Sequence, residues 1–182
     1  MAIRSTMIAN MTDFFTSPRI NYSNLPEMSD SQGDQSDNLS EITCIMRTKV
    51  TRAAEGNREI RDIPQAEQTG RVGKSIPAMI RYHALLHRRD YIDDSDMDIA
   101  RRVAIDSIPY TRGKIIIAIP PDDGADADTL SKMLNLSPST LKWNVDELMA
   151  LGVIKTESAM TGDCYRMTDS FREMWKMAFP QI

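Results

Sequence analysis

His83 and His87 stand four residues apart, the spacing that sets two imidazoles on one helical face as zinc ligands. A metalloprotease-type site also needs a glutamate directly after the first histidine. That residue is Ala84, and the chain has no other histidine. The pair reads as packing or partner-surface residues. Asp94-Ser-Asp96-Met-Asp98 imitates the start of a calcium loop. Its sixth position is Ile99 instead of the turn-making glycine, and its twelfth is Ile105 instead of the bidentate glutamate. These acids read better as the dipole-favoured start of a helix. Gly73-Lys74-Ser75 matches the end of a phosphate-binding loop, but Gln68 occupies the place of the leading glycine and the polar stretch Asp62–Thr69 that of the apolar strand. No apolar run ending in paired acids is present to hold magnesium. Cys44 and Cys164 have neither metal nor redox spacing, and no serine or cysteine has a base paired with it in sequence. No metal, cofactor or catalytic role is expected, so the chain reads as a non-enzyme.

A different chemistry is offered by Ser137, Ser139, Thr140, Lys142, Trp143 and Asn144, which crowd into the first half of one predicted helix, with Lys155 and Arg166 following in two short predicted strands. Hydroxyls, an amide, an ammonium and an indole at such a helix start are groups that hydrogen-bond phosphates and base edges. The elements that must position them are legible. Asp128 is expected to cap a first helix with apolar residues Leu130, Met133 and Leu134. Ser137 caps the second, Pro138 takes its first position, and Leu141, Val145 and Leu148 form its inner face. Gly152 falls where a left-handed residue ends the helix. Val153–Lys155 and Cys164–Met167 then pair around Thr156–Asp163.

From Leu130 to Thr168 this pattern resembles winged helix-turn-helix domains, with Thr156–Asp163 as the wing. The resemblance implies that the second helix enters the major groove of double-stranded DNA by its N-terminal half. Ser137, Ser139, Thr140, Lys142, Trp143 and Asn144 would then face the duplex, and Lys155 and Arg166 would be the cations nearest the wing. Trp143 is read equally well as buried against the wing or a partner. A first helix is also required, which makes Thr111–Ile119 helical although Ile115-Ile-Ile favours a strand by propensity.

Charge works against this picture. The chain nets −4, and from Asp122 to Ile182 six Lys and Arg face ten Asp and Glu, again a net of −4. Phosphate neutralisation dominates nonspecific affinity, so this region alone is expected to bind DNA weakly and with strong salt dependence. The stretch 71–114 is more basic, with Arg71, Lys74, Arg81, Arg88, Arg89, Arg101, Arg102, Arg112 and Lys114. It either adds an electrostatic footprint or forms ordinary ion pairs.

Upstream, residues 1–40 are expected to be a disordered tail, since Ser23–Asn38 is polar and acidic. Residues 41–74 read as irregular, with Ile42–Met46 a short strand or a helix start and Gly56-Asn57 and Pro64 as breakers. A helix is expected from Ser75 to about Arg88, and a second, capped by Asp93-Asp94-Ser95, through Ile108 with Ile99, Val103 and Ile105 as its apolar positions. Ile80-Arg-Tyr-His-Ala-Leu-Leu-His87 followed by Ile92–Pro109 is similar to the helical lid of AAA+ replication-helicase-like ATPases of archaea and mobile elements, some of which carry a winged helix directly after the lid. No nucleotide-binding core precedes it.

The fold class expected is therefore mainly α: a helical middle region (75–109), then a winged helix-turn-helix with a small β-hairpin (110–182). The function expected is DNA binding, in transcription regulation or as an accessory to mobile-element replication. The rivals are a non-catalytic docking module for a separate ATPase and a truncated C-terminal fragment of such an ATPase. Ser170–Phe179 reads as an amphipathic helix that packs back or makes a homodimer contact. With no signal peptide, no apolar span and two distant cysteines, a soluble cytoplasmic protein is expected, with no membrane partner.

Overall fold

The computed structural model describes residues 25–53, 59–62, 65, 69–159 and 162–180. The described chain is mainly helical. Its order is α1 (Asp30–Arg47), α2 (Val72–Leu86), α3 (Asp94–Asp106), α4 (Tyr110–Ala118), β1 (Ala125–Asp126), α5 (Ala127–Leu134), α6 (Pro138–Ala150), β2 (Ile154–Ala159), β3 (Gly162–Met167) and α7 (Asp169–Ala178).

The first correction falls on the polar run. Residues 1–24 of the expected tail lie outside the described residues, but from Asp30 the supposed linker is helix α1. A capping box starts it: the Ser29 hydroxyl accepts from the Gln32 amide at 3.3 Å, and the Gln32 side chain accepts from the Ser29 amide at 3.0 Å. Leu39, Ile42 and Met46 are buried along one side together with Ser36, Ser40 and Thr43. Ser40 and Thr43 donate back to the carbonyls of Ser36 and Leu39, at 2.8 and 2.6 Å, and so lose little by leaving water. Composition hid the helix because its inner face is partly hydroxylated. Ile42–Met46, open between strand and helix, ends this helix.

α2 starts three residues before the expected Ser75 and contains Gly73-Lys74-Ser75. The amides of Lys74 and Ser75 bond to the Arg71 carbonyl at 3.2 and 3.0 Å and are not arranged as a phosphate cradle. α3 is capped by Asp93 as expected, but its inner face is different. Met97, Ala100 and Ala104 are buried, while Val103 is 46% exposed and Ile99 and Ile105 are intermediate. The buried side includes Asp96, whose carboxylate accepts from Arg89 at 2.7 and 3.0 Å, from the Asp93 amide at 2.8 Å and lies 2.6 Å from His83 Nδ1. Small residues let α3 approach α2 closely around this polar knot, and the bulkier β-branched residues turn outward. His83 thus has a structural partner, and among the described residues no group of three or more His, Cys, Asp or Glu could hold a metal ion.

The remaining elements follow the sequence pattern more closely. Ile115 and Ile116 lie buried in helix α4, not in a strand. The cap of α5 is Asp126, not Asp128: its carboxylate takes the Thr129 amide at 2.8 Å and hydroxyl at 2.6 Å, while Asp128 falls inside the first turn. Met133, expected on the inner face, is 64% exposed, leaving Leu130 as the buried residue of α5. α6 starts at Ser137-Pro138, buries Leu141, Val145 and Leu148, and is followed by Gly152 at φ +71°. The strands form an antiparallel sheet in the order β1-β3-β2, with Lys155 opposite Arg166 and Thr156 opposite Tyr165. β2 and β3 run further into the hairpin than Val153–Lys155 and Cys164–Met167.

α7 packs against α1, with Phe171, Trp175, Ala178 and Phe179 buried and Met177 exposed. Buried apolar residues from Leu39 to Phe179 make one continuous cluster. The packing therefore crosses the sequence divisions at 74/75 and 109/110. Among the described residues, no helix is long and apolar enough to cross a membrane.

Candidate nucleic-acid interface

α6 is held from three sides, and the way it is held decides what its outer face offers. Its inner stripe is buried, and its first turn is closed by Ser137. That hydroxyl accepts from the Thr140 amide at 3.2 Å and lies 2.8 Å from the Thr140 hydroxyl and 3.0 Å from that of Ser139. Ser137, Ser139 and Thr140 come together as expected, but their hydroxyls are engaged with one another while remaining exposed. The Asn144 amide donates to the Thr140 carbonyl at 2.8 Å. Its nitrogen is therefore spent on its own helix.

Lys142 is exposed and has no ion-pair partner among the described residues. Trp143 is 37% exposed. Its indole N–H donates to Glu147 at 3.0 Å, and the Arg52 guanidinium lies 4.0 Å from its ring centroid. Arg52 also donates to the Trp143 carbonyl at 2.7 Å and to Glu147 at 3.3 Å. Neither expected alternative for Trp143, the wing or a partner protein, describes this: the indole is covered in part by a residue 91 positions upstream.

Glu147 is the anchor of that side. Arg112 from α4 donates to one of its oxygens through Nε at 2.9 Å and Nη2 at 2.6 Å, and sends Nη1 to the carbonyls of Met46 and Thr48 at 3.0 and 2.8 Å. A buried guanidinium thus ties α6 to α4 and to the end of α1. Sequence reasoning missed Arg52, Arg112 and Glu147 as a unit. The four-residue spacing of Trp143 and Glu147 was a signal for one contact; nothing local pointed to either arginine.

On the hairpin, Lys155 and Arg166 sit directly across β2 and β3. Like charges in that register repel, and Glu157 lies between them, 3.4 Å from Lys155 and 3.0 Å from Arg166. Lys155 also lies 3.8 Å from Asp169, and Arg166 donates to the Asp122 carbonyl at 3.0 Å. Both expected cations are therefore compensated within the chain. Of the nine bases in 71–114, Arg89, Arg101 and Arg112 are bound to carboxylates, whereas Arg71, Lys74, Arg88 and Arg102 are exposed.

Between α5, α6 and the hairpin runs a groove with a volume of about 420 Å³, lined by Asp128, Lys142, Asp146, Asp163 and Tyr165 above apolar side chains of α6. Burial, and then the charges of Asp163 and Asp146, raise the Tyr165 phenol above its ordinary pKa. The acids at the edge of this region are held down: Asp126 by the Thr129 hydroxyl and amide, Asp122 by hydrogen bonding to Lys176. Compared with protein-family models, curated proteins and solved structures, the chain matches none.

Proposed function

We propose that this chain is a winged-helix protein that binds double-stranded DNA through α6, weakly by itself, in transcription regulation or as an accessory to mobile-element replication. The observation that carries the reading is the element order α4-β1-α5-α6-β2-β3 with sheet order β1-β3-β2, which leaves the start of α6 projecting beside a hairpin. Ser139, Lys142 and Trp143 form its outer ridge. Lys142 supplies the uncompensated charge, and the Trp143 edge supplies an apolar contact for sugar or a thymine methyl. Ser137 and Thr140 offer hydroxyl oxygens to phosphate, while Asn144 must release the Thr140 carbonyl before it can read adenine.

The compensated state of Lys155 and Arg166 favours a second reading, in which the same face docks a protein such as a separate ATPase. Fluorescence anisotropy with duplex DNA separates the two. The DNA reading expects measurable binding at low salt, steep weakening as salt rises, and a loss for Lys142→Ala with a shallower salt slope. Equal, salt-insensitive binding by wild type and Lys142→Ala rejects it and leaves protein docking.

A further inference from the structure

We propose that the groove between α5, α6 and the β2–β3 hairpin is a binding site for a small aliphatic diamine or polyamine. The inference stands apart from the DNA reading, because it concerns what fills the groove and not what α6 grips.

Three carboxylates reach this groove from three different elements: Asp128 from α5, Asp146 from α6 and Asp163 from β3. None has an ion-pair partner among the described residues. Lys142 is the one cation in the lining, so the site carries a net charge of −2. Neighbouring acids outside the groove are served differently, Asp126 by Thr129 and Asp122 by Lys176.

Tyr165 gives an independent sign of a missing partner. It is nine-tenths buried and lines the groove, yet its hydroxyl makes no hydrogen bond to any described residue. Buried phenols ordinarily find a partner. The other hydroxyls in the lining are already committed: Ser131 donates to the Leu136 carbonyl at 2.6 Å, and Thr156 lies 3.2 Å from the Met149 sulfur.

The form of the ligand follows from the spacing. The carboxylates do not converge as a metal ion requires, since no group of three such side chains among the described residues could hold one. Separated acids above the apolar floor of Leu141, Val145 and Met149 fit a molecule with ammonium ends and a methylene middle. The volume of about 420 Å³ lies in the range of small-molecule sites, roughly 300–1,000 Å³. One ammonium donates to Asp146, Asp163 and the Tyr165 oxygen, and the other reaches Asp128.

Isothermal titration of the full chain with putrescine and spermidine, without nucleic acid, tests this, with 1,4-butanediol as the uncharged control. Saturable binding of the amines, no heat from the diol, and weakening by about tenfold in Asp146→Asn and in Tyr165→Phe are expected. Lys142→Ala should bind more tightly, because it removes a competing ammonium. Tyr165→Phe retains the ring and Lys142→Ala is an exposed change, so both variants report on a folded site. Absence of amine binding up to about 10 mM overturns the proposal. So does binding that is indifferent to Asp146→Asn and Tyr165→Phe, which would mark loose counter-ion attraction. Binding of a lysine-rich peptide but of neither amine also overturns it, and would make the groove a protein-docking cleft.

Discussion

Arg112 illustrates how much can depend on one guanidinium. It is 6% exposed, and its partners are a carboxylate on α6 and two carbonyls at the end of α1. Removing one member of a buried ion pair strands the other, at a cost of about 3–5 kcal/mol, whereas replacing both by apolar residues costs much less. Urea denaturation of Arg112→Met, Glu147→Leu and the double variant should show the double variant well short of the sum. Arg52 lies further out. Arg52→Ala should cost only about 0.5–1 kcal/mol, the value of an exposed cation–π contact. It should also uncover Trp143, so that acrylamide quenching of tryptophan fluorescence increases while the buried Trp175 stays shielded.

Among the elements, the ends of α6 and the turn into β1 are where single residues matter. Ser137→Ala removes the cap of α6 and should lower stability by about 1 kcal/mol in chemical denaturation. Gly124→Ala should do more harm. Gly124 has φ +74°, and an added Cβ would lie 2.5 Å from Arg166 Cγ and 2.7 Å from the Tyr165 carbonyl oxygen, so β1 would be pushed off β3. A loss exceeding about 1 kcal/mol is expected, with amide exchange fastest along β1. The sequence revealed α6 and its flanks because their signals are local: Ser-Pro at the start, apolar residues at helical spacing, glycine after the end. It concealed α1 because hydroxyl back-bonding lets Ser40 and Thr43 occupy positions that a hydrophobicity pattern assigns to solvent. It mis-set the face of α3 because the side turned inward is chosen by Asp96 and its partners, Arg89 and His83, one from the helix before and one from the intervening loop. The outer face of α6 was legible as a list of residues but not as a surface. Whether Lys155, Arg166 or Asn144 is available depends on Glu157, Asp122 and Thr140, and only folding brings those pairs together.

For the whole molecule, acid should be the more damaging direction of pH. The Ser95 hydroxyl, followed by the Arg89 guanidinium, holds the Asp93 carboxyl well below the usual carboxylate range, and Asp122 and Asp126 are depressed as well. A depressed folded pKa contributes stability that is present above the unfolded value, near 4, and lost as pH falls through the folded one. The melting temperature should therefore drop below about pH 4, and Asp93→Asn should flatten that slope. The packing of α7 on α1 is a larger matter. Trp175→Ala empties a site that is 1% exposed and should cost about 3–5 kcal/mol by thermal or urea unfolding.

That same α1–α7 seam sets a schedule for the protein's synthesis. Asn38 on α1 meets Met177 on α7 across a separation of 139 residues. On the ribosome, the flank of α1 that α7 will cover must wait until α7 has emerged. At about 5–20 residues per second, that is an interval of several seconds or more with apolar surface uncovered. Final closure is therefore an event of the released chain, and a slow, non-local one. Stalling translation between α6 and α7 should yield a protease-sensitive nascent chain, even though the helices around Lys142 have already been made.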